Sequence, residues 1–174
     1  RGTHAALGES ELDGLFQTAS DGQAIDLGEL QLMPFTVPHD AREPLQLTCS
    51  DGQSRLGVLT DLGHATAHVL AHLGQCQTLL LECNHDPDLL AASSYPAFLK
   101  KRVGGLHGHL ANADAAAIAR AVRHPGLQRV VAAHLSKQNN RPALARTALA
   151  EALGCDTVAI DIADAQHGTP WIEV

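Results

Sequence analysis

The stretch Thr78-Leu79-Leu80-Leu81-Glu82 decides how the fold is interpreted, and Asn84-His85-Asp86 lie just beyond it. Its apolar run predicts a buried β-strand that ends in side chains able to bind a metal or carry a proton. Three other apolar strands end in the same way, at His39-Asp40, at Asp61 and at His134. Adjacent strands lie about 4.8 Å apart, so strands that end at one sheet edge bring such side chains into one cleft.

These strand-end residues combine imidazole and carboxylate groups, a mixture that suits zinc, manganese or iron(II). Each residue also has a plain structural explanation when it is taken singly. A lone His after a strand is most often a loop residue or a satisfied core residue, and an Asp before Leu-Gly is often a turn former or a helix cap. The recurrence at four strand ends favours a shared site.

Turn signals and apolar periods predict a β-rich first half and a second half in which strands and helices alternate. Asp51-Gly52 predicts a hairpin turn, because such a turn requires a positive φ. Asn112 predicts the cap of one helix, and Gly154 predicts the end of another. Strands are predicted at residues 23–26, 30–37, 45–49, 55–60, 78–81, 129–133, 158–162 and 171–174, and helices at 66–73, 95–103, 112–122 and from 142 to Gly154. This order is typical of a layered α/β domain.

Composition and charge are those of an average soluble domain. Of the 174 residues, 45% are hydrophobic and 18% are charged, which is enough for one domain with a core. No apolar run approaches the roughly 20 residues of a membrane span, so no membrane partner is expected. The net charge of −7 argues against a broad basic surface, although bound metal ions supply positive charge locally. The four cysteines form no C-x-x-C pair, which favours reduced thiols and a cytoplasmic location.

Three segments, in this order, resemble the last three metal-binding motifs of metallo-β-lactamase-fold hydrolases: Val37-Pro38-His39-Asp40-Ala41, Thr60-Asp61-Leu62-Gly63 and Ala133-His134-Leu135-Ser136. The chain is similar to the bacterial WalJ- or YycJ-type branch, whose relatives include exonucleases and tRNase Z. Residues 81–86 and 108–112 also resemble family segments. The resemblance implies an α/β fold of the αββα sandwich type, with two metal ions at one edge of the sandwich.

The resemblance also implies roles for the strand-end residues. His39 would complete the coordination of the first metal ion, Asp61 would bridge both ions, and His134 would bind the second. The implied cofactors are two divalent ions, zinc or manganese. Such ions lower the pKa of a bridging water, so that hydroxide is available near neutral pH.

Glu82 and His109 match the positions of a proton shuttle in tRNase Z-like relatives. By this resemblance His109 would protonate the leaving oxygen, and Glu82 would orient the imidazole and raise its pKa. The relatives usually carry Ser or Thr after this His, whereas this chain has Leu110. The alternative is that Glu82 is a buried structural carboxylate and His109 a loop residue.

The His-x-His-x-Asp-His run of the family does not occur in this sequence, and His107-Gly108-His109 is its nearest imitation. We therefore expect residues 1–174 to be the C-terminal portion of a single metallo-β-lactamase-fold domain, truncated at the N-terminus by about 80 residues. This portion would hold half a metal site and be inactive by itself. It would also leave apolar sheet surface uncovered, which predicts self-association, for example as a homo-oligomer.

Several further residues have candidate roles around the cleft. Lys137 and Arg141 follow His134 and are candidates for binding substrate phosphate, although Arg141 has the alternative of pairing with a helix carboxylate. His64 and His85 are expected to line the cleft behind the metal ligands. His64, His68 and His72 are spaced to share one helical face, for which a solvated or partner-facing surface is preferred over a metal site.

The leading functional hypothesis is a metal-dependent phosphodiesterase, specifically a 5′ exonuclease that takes DNA as its nucleic-acid substrate. One alternative keeps the fold but changes the substrate to a thioester, a lactone or a β-lactam. Another alternative is a metal-free, non-catalytic module descended from the same fold.

Overall fold

All strands of the described residues belong to one sheet. The structure, a computed structural model, describes residues 18–174. The sheet order follows the chain: β1 (Ile25–Leu27), β2 (Leu30–Thr36), β3 (Leu45–Ser50), β4 (Arg55–Leu59), β5 (Thr78–Glu82), β6 (Arg129–Ala133) and β7 (Ile160–Ile162). Strands β1 to β4 pair antiparallel, and β4 to β7 pair parallel. The change occurs where short turns give way to helical crossovers, as parallel pairing requires.

The helices of the described residues all come after β4, as predicted. They are α1 (Ala67–Leu73), α2 (Pro87–Ala92), α3 (Ala97–Val103), α4 (Asn112–Ala121) and α5 (Pro142–Leu153), with a 3₁₀ turn at Thr157–Ala159. The Thr66 side chain caps α1 by accepting from the backbone N–H of Val69, and α5 ends at Gly154 with φ of 64°. Left-handed geometry at this position favours glycine.

The core lies between one face of the sheet and helices α1, α4 and α5. Leu59, Leu81 and Ala132 are at most 1% exposed and share this face, because side chains alternate along a strand. Val69 from α1, Ile118 from α4 and Leu149 from α5 pack in the same cluster, in which Phe35 is the one aromatic side chain among the described residues. Aliphatic packing therefore holds the strand ends in place.

The opposite face of the sheet is where the sequence prediction fails. Residues 171–174 form no strand. Trp171, Ile172 and Val174 instead line a cavity of about 340 Å³ together with Leu56, Leu80 and Val131 of the sheet. The predicted strand is wrong because this segment lies over a sheet face, where no strand edge offers hydrogen-bond partners. The predicted self-association through apolar sheet surface stays a prediction.

Two smaller differences have local causes. Helix α2 was not predicted, because six residues are too few to show a helical apolar period, although Asp86 caps it and Pro87 begins it. The strand predicted at 158–162 is shorter and begins at Ile160, because Asp156 caps a 3₁₀ turn by accepting from the Val158 N–H. No described helix is both long and apolar enough to cross a membrane.

Candidate metal centre

The candidate site lies at the edge of the sheet where β2, β4, β5 and β6 end. Two successive antiparallel pairings make β2 run in the same direction as β4, and β4, β5 and β6 are parallel. Leu59 pairs with Leu81 and Glu82 with Ala133, so these strands end at nearly the same level. The edge therefore receives the residues that the sequence predicted for it: His39, Asp61, Glu82 and His134.

Glu82 is the centre of the hydrogen bonding at this edge. Its side chain is fully buried, and its Oε1 accepts from Nδ1 of His109 at 2.8 Å and from Nδ1 of His134 at 2.7 Å. Its Oε2 accepts from the backbone N–H groups of Leu62 and Leu110, both at 3.2 Å. With protons on both Nδ1 atoms, the Nε2 atoms of the two neutral imidazoles keep a free lone pair, which can accept a hydrogen bond or bind a metal ion.

The hydrogen bonds to Glu82 decide its charge. Burial alone would raise the pKa of this carboxyl, but the bonds from His109 and His134 outweigh burial and lower the pKa to about 2. The bond to Glu82 in turn raises the pKa of His134, against the opposing effect of burial. A buried, ionised carboxylate therefore sits behind two imidazoles and favours a cation in front of them.

Asp61 lies in front of the imidazoles. Its Oδ1 is 3.7 Å from Nδ1 of His134, 3.8 Å from Nδ1 of His109 and 3.9 Å from Nε2 of His39. These distances exceed those of hydrogen bonds. The 3.9 Å between Asp61 Oδ1 and Nε2 of His39 is close to the separation of about 3–4 Å between two ligand atoms that each lie about 2.1 Å from one ion. The two Nδ1 distances show only that Asp61 faces the imidazoles of His109 and His134, whose Nε2 atoms are the ones free to bind an ion. Asp61, Glu82, His109 and His134 offer ligand atoms that all lie within 4.8 Å of one another, so the donor set fits a divalent ion.

His39 is oriented as metal-bound imidazoles usually are. Its Nδ1 lies 3.0 Å from the carbonyl oxygen of Gly108, which leaves Nε2 facing Asp61. A carbonyl behind the imidazole fixes its tautomer and orientation in metal sites. Asp40 beside it accepts from the Arg102 guanidinium, and this bond lowers the pKa of the Asp40 carboxyl. The role of Arg102 in neutralising Asp40 was not predicted.

Backbone strain concentrates at the same edge. The non-glycine residues with positive φ in residues 18–174 are Asp61 at 51°, His134 at 55° and Gln75 at 72°. A non-glycine residue held in this region costs about 1–3 kcal/mol and persists where the surroundings fix it. Two of the three positions carry predicted metal ligands, which is the distribution expected of a functional site.

The loops that carry Asp61 and His109 pack backbone against backbone. A Cβ atom at Gly63 would overlap the backbone of Leu106, and one at Gly108 would overlap the carbonyl oxygens of Arg102 and Val103. Only glycine fits at these two positions. The close approach explains how His109 reaches Glu82, 27 residues away in sequence.

Buried amides support the edge from behind, and sequence reasoning missed them. Asn84 donates to the carbonyl oxygen of His134 at 3.0 Å. The side-chain amides of Asn112 and Asn140 form two hydrogen bonds of 2.9 Å with each other, and Asn140 also donates to the Cys83 carbonyl oxygen at 2.7 Å. Asn112 therefore does not cap α4; Ala111 occupies that position, because the amide of Asn112 is used by Asn140. Asparagines beside apolar runs were the available signal, since buried amides need partners.

The two histidines expected to line the cleft differ in placement. His85 is 4% exposed, its Nδ1 has no hydrogen-bond partner among residues 18–174, and burial lowers its pKa. His64 instead hydrogen-bonds the Leu106 carbonyl oxygen at 2.8 Å, with its ring edge-on to His107. His64 thus anchors the loop that carries His109.

The two predicted substrate-binding residues line one cavity with His134. This cavity of about 720 Å³ is bounded by β6, the segment after it, and residues 162–166. Lys137 is exposed and has no ion-pair partner within the described part of the chain. Arg141 donates from Nη1 to the carbonyl oxygens of Asn140 at 2.6 Å and Gln138 at 3.4 Å. The predicted alternative, a helix carboxylate as the partner of Arg141, has no counterpart among the described residues.

Comparisons with other proteins agree with this fold. No protein-family model matches the sequence. The exodeoxyribonuclease YycJ of Bacillus anthracis is 30% identical over 134 residues, which make up 77% of this chain and 51% of that protein. The metallo-β-lactamase fold protein YhfI from Bacillus subtilis matches with a TM-score of 0.64 and 15% identity, over 88% of this chain and 54% of its own. Zn²⁺-bound PqqB from Methylobacterium extorquens matches with a TM-score of 0.63 and 17% identity, over 91% of this chain and 55% of its own.

The chain spans about half the length of the curated relatives it matches. The solved structures are too distant in sequence to show more than the fold, and the fold they share is the predicted one. The chain has the metallo-β-lactamase fold, and over the half of that protein that it matches it is a homologue of the exodeoxyribonuclease YycJ.

Proposed function

We propose that this chain carries part of the active site of a metal-dependent phosphodiesterase, a 5′ exonuclease that acts on DNA. The observation that carries the proposal is the convergence of three imidazoles on Asp61: Nε2 of His39 lies 3.9 Å from its Oδ1, and Glu82 holds His109 and His134 beside it through their Nδ1 atoms, which leaves their Nε2 atoms free. The activity named for the homologue YycJ supports DNA as the substrate. Lys137, in the cavity beside His134, supports a phosphate-bearing substrate over an acyl substrate.

The proposed cofactors are two divalent ions, zinc or manganese, with His39, Asp61 and His134 among their ligands. Bound here, the ions would act as Lewis acids on the phosphoryl group and lower the pKa of a water molecule. The three ligands do not fill the coordination of two ions, so further donors are required. A His-x-His-x-Asp-His segment upstream of Arg1, as their source, stays a prediction.

The proposed role of His109 is to hold a proton for the leaving oxygen. Its Nδ1 is fixed on Glu82 Oε1, so the proton at Nε2 is the one that can be delivered. Glu82 Oε1 accepts from Nδ1 and so orients the ring for proton transfer from Nε2. Both groups are placed by the backbone N–H bonds to Glu82 Oε2, and not by a hydroxyl at position 110, where Leu110 is part of the core.

Lys137 is proposed to hold a phosphate of the DNA strand beside the scissile bond. Its ammonium group is exposed, so it can meet a phosphate without first breaking an ion pair within the described residues. Arg141 is proposed as a weaker contributor, because its guanidinium already donates to two backbone carbonyl oxygens. His85 is proposed to line the cleft behind the metal ligands, where it is 4% exposed.

The direct test is hydrolysis of 5′-labelled DNA by the full product of the gene that contains this sequence, with Mn²⁺ or Zn²⁺ added. Asp61→Asn should lower the rate by about 100-fold or more, because it removes the proposed bridging charge. Asp26→Asn is the matched control, since it makes the same carboxylate-to-amide change at an exposed residue of β1, outside the site. Absence of cleavage by the unaltered protein with every divalent ion tried would reject the proposal, and cleavage of a thioester or a β-lactam instead would favour the alternative substrate classes.

A further inference from the structure

A second group of side chains able to bind a metal lies beside helix α1 and shares no residue with the site at the sheet edge. Asp21, His68 and His72 offer ligand atoms that all lie within 4.8 Å of one another. We propose that these three residues bind one divalent transition-metal ion, for which Zn²⁺ fits best, and that the ion fastens the segment before β1 to α1. The proposal departs from the expectation that this helical face is only a solvated or partner-facing surface.

The spacing of the two histidines suits a shared ion. His68 and His72 are four residues apart on α1 and therefore lie on the same face, with ring centroids 4.6 Å apart. A histidine pair with this spacing is a recurrent zinc-binding arrangement on helices. The pair alone is not sufficient, and the third donor comes from outside the helix.

Asp21 supplies that third donor from the turn that precedes β1. Its Oδ1 lies 3.0 Å from Nε2 of His68 and accepts from the backbone N–H of Thr36 at 2.9 Å. The bond from Thr36 fixes the carboxylate against the end of β2. The free Oδ2, which has no hydrogen-bond partner among the described residues, is then available to an ion.

The neighbour of Thr36 in β2 orients the other imidazole. The Phe35 ring stacks on His72 with centroids 4.8 Å apart and planes 10° from parallel. Phe35 and Thr36, consecutive residues of β2, therefore hold two of the three donors, His72 and Asp21. Binding of an ion would then restrict the motion of little more than the His68 side chain. Donors that are ordered before binding reduce the entropic cost of binding.

The donor chemistry selects the ion. Two imidazoles and one carboxylate suit Zn²⁺, with water completing the coordination. Water can reach the ion because the side chains of His68 and Asp21 are 45% and 46% exposed. Because the ligands come from a helix and from the turn before β1, the ion cross-links two parts of the chain, and its expected effect is stabilisation of the fold.

The test separates this site from the one at the sheet edge by using the full chain with Asp61→Asn. Titration of this variant with Co²⁺, followed by visible absorption and calorimetry, should show one bound ion. Adding His68→Gln or Asp21→Asn should weaken that binding by about ten-fold or more, since each removes one of three protein ligands. Adding His64→Gln is the matched control, because His64 continues the same helical spacing but lies outside the group, and binding should not change.

Unfolding provides a second readout that does not depend on spectra. Zn²⁺ should raise the melting temperature of the Asp61→Asn chain, and Asp21→Asn should abolish that increase while circular dichroism shows a folded protein. His68→Gln and Asp21→Asn concern exposed side chains, so both variants are expected to fold. The proposal is overturned if the Asp61→Asn chain binds no ion, or if its binding is unchanged by both added substitutions.

Discussion

Glu82 Oε1 accepts a 2.7 Å hydrogen bond from Nδ1 of His134 across the ends of two neighbouring parallel strands, β5 and β6. The same oxygen accepts from His109, which comes from a distant loop. One buried carboxylate thus sets the position of an imidazole proposed to bind metal and of another proposed to move a proton. The two functions of the site are therefore coupled through Glu82.

The stability of the metal-free chain should depend on pH through Glu82 and His134. The pKa of Glu82 falls from 4.5 to about 2, so its contribution is complete above pH 4.5 and is lost as the pH falls towards 2. The pKa of His134 is raised above 6.5, so its contribution is complete below pH 6.5 and is lost as the pH rises through the raised value. Together they stabilise the fold most between pH 4.5 and 6.5.

Urea unfolding of the chelator-treated chain from about pH 3 to 8 measures this dependence. Glu82→Gln should flatten the acid limb of the curve, because the substituted amide does not titrate. Glu151→Gln, on the exposed side of α5, is the matched control, and the loss of stability at acid pH should remain in that variant. An acid limb of equal slope in the Glu82→Gln chain would contradict the prediction.

Substitution of His109 should separate proton transfer from metal binding. In the full gene product, His109→Gln should lower kcat by about 10²–10⁴-fold, the usual contribution of a general acid, while metal content stays close to that of the unaltered protein. His134→Asn should instead reduce metal content, and Asn tolerates the left-handed backbone at this position. Metal analysis alongside kinetics distinguishes the two. Equal loss of metal in both variants would make His109 a ligand.

Replacement of Asp61 by glycine should stabilise the metal-free chain while weakening metal binding. Glycine relieves the positive φ of 51°, which is worth about 1 kcal/mol. Gln75→Gly is the matched control, because its φ of 72° gives the same relief away from the site. Both variants should unfold at higher urea, but only Asp61→Gly should lose metal affinity in a titration. Destabilisation of both variants would show that neither position stores strain.

The class of substrate should be measurable through Lys137. If Lys137 holds a DNA phosphate, Lys137→Ala raises KM for DNA. It also lowers the slope of the logarithm of the binding constant against the logarithm of the salt concentration by about 1, since one fewer phosphate is neutralised. Lys101→Ala removes an exposed lysine from α3 and serves as the control. Measurement of binding against salt concentration gives the slope for each variant. A slope that Lys137→Ala leaves unchanged would place the phosphate elsewhere.

The strand ends could be predicted because they depend on local sequence. The apolar run before Glu82 defines β5, and the Asp51-Gly52 turn forms with Gly52 at a φ of 91°. Once neighbouring strands are known to be parallel, Asp61 and His134 must emerge at the same edge. Most of the candidate site was therefore available from the order of the strands and from the residues at their carboxyl ends.

The remaining features depend on contacts that no local pattern encodes. Asn112 has the sequence context of a helix cap, yet Asn140, 28 residues away, takes its amide. The approach of His109 to Glu82 depends on two close backbone contacts, that of Gly63 with Leu106 and that of Gly108 with the end of α3 at Arg102 and Val103. The third donor beside α1, Asp21, is 47 residues from His68. Such pairs are fixed by tertiary packing, which the alternation of apolar and polar residues does not specify.

The four hydrogen bonds accepted by Glu82 have a kinetic consequence. They join β5, β6 and the loops around Leu62 and Leu110 into one rigid unit through protein groups alone. The chain can therefore fold first and bind metal ions afterwards. Loss of an ion from the proposed site would therefore leave the strand ends joined, because none of the four bonds to Glu82 involves an ion.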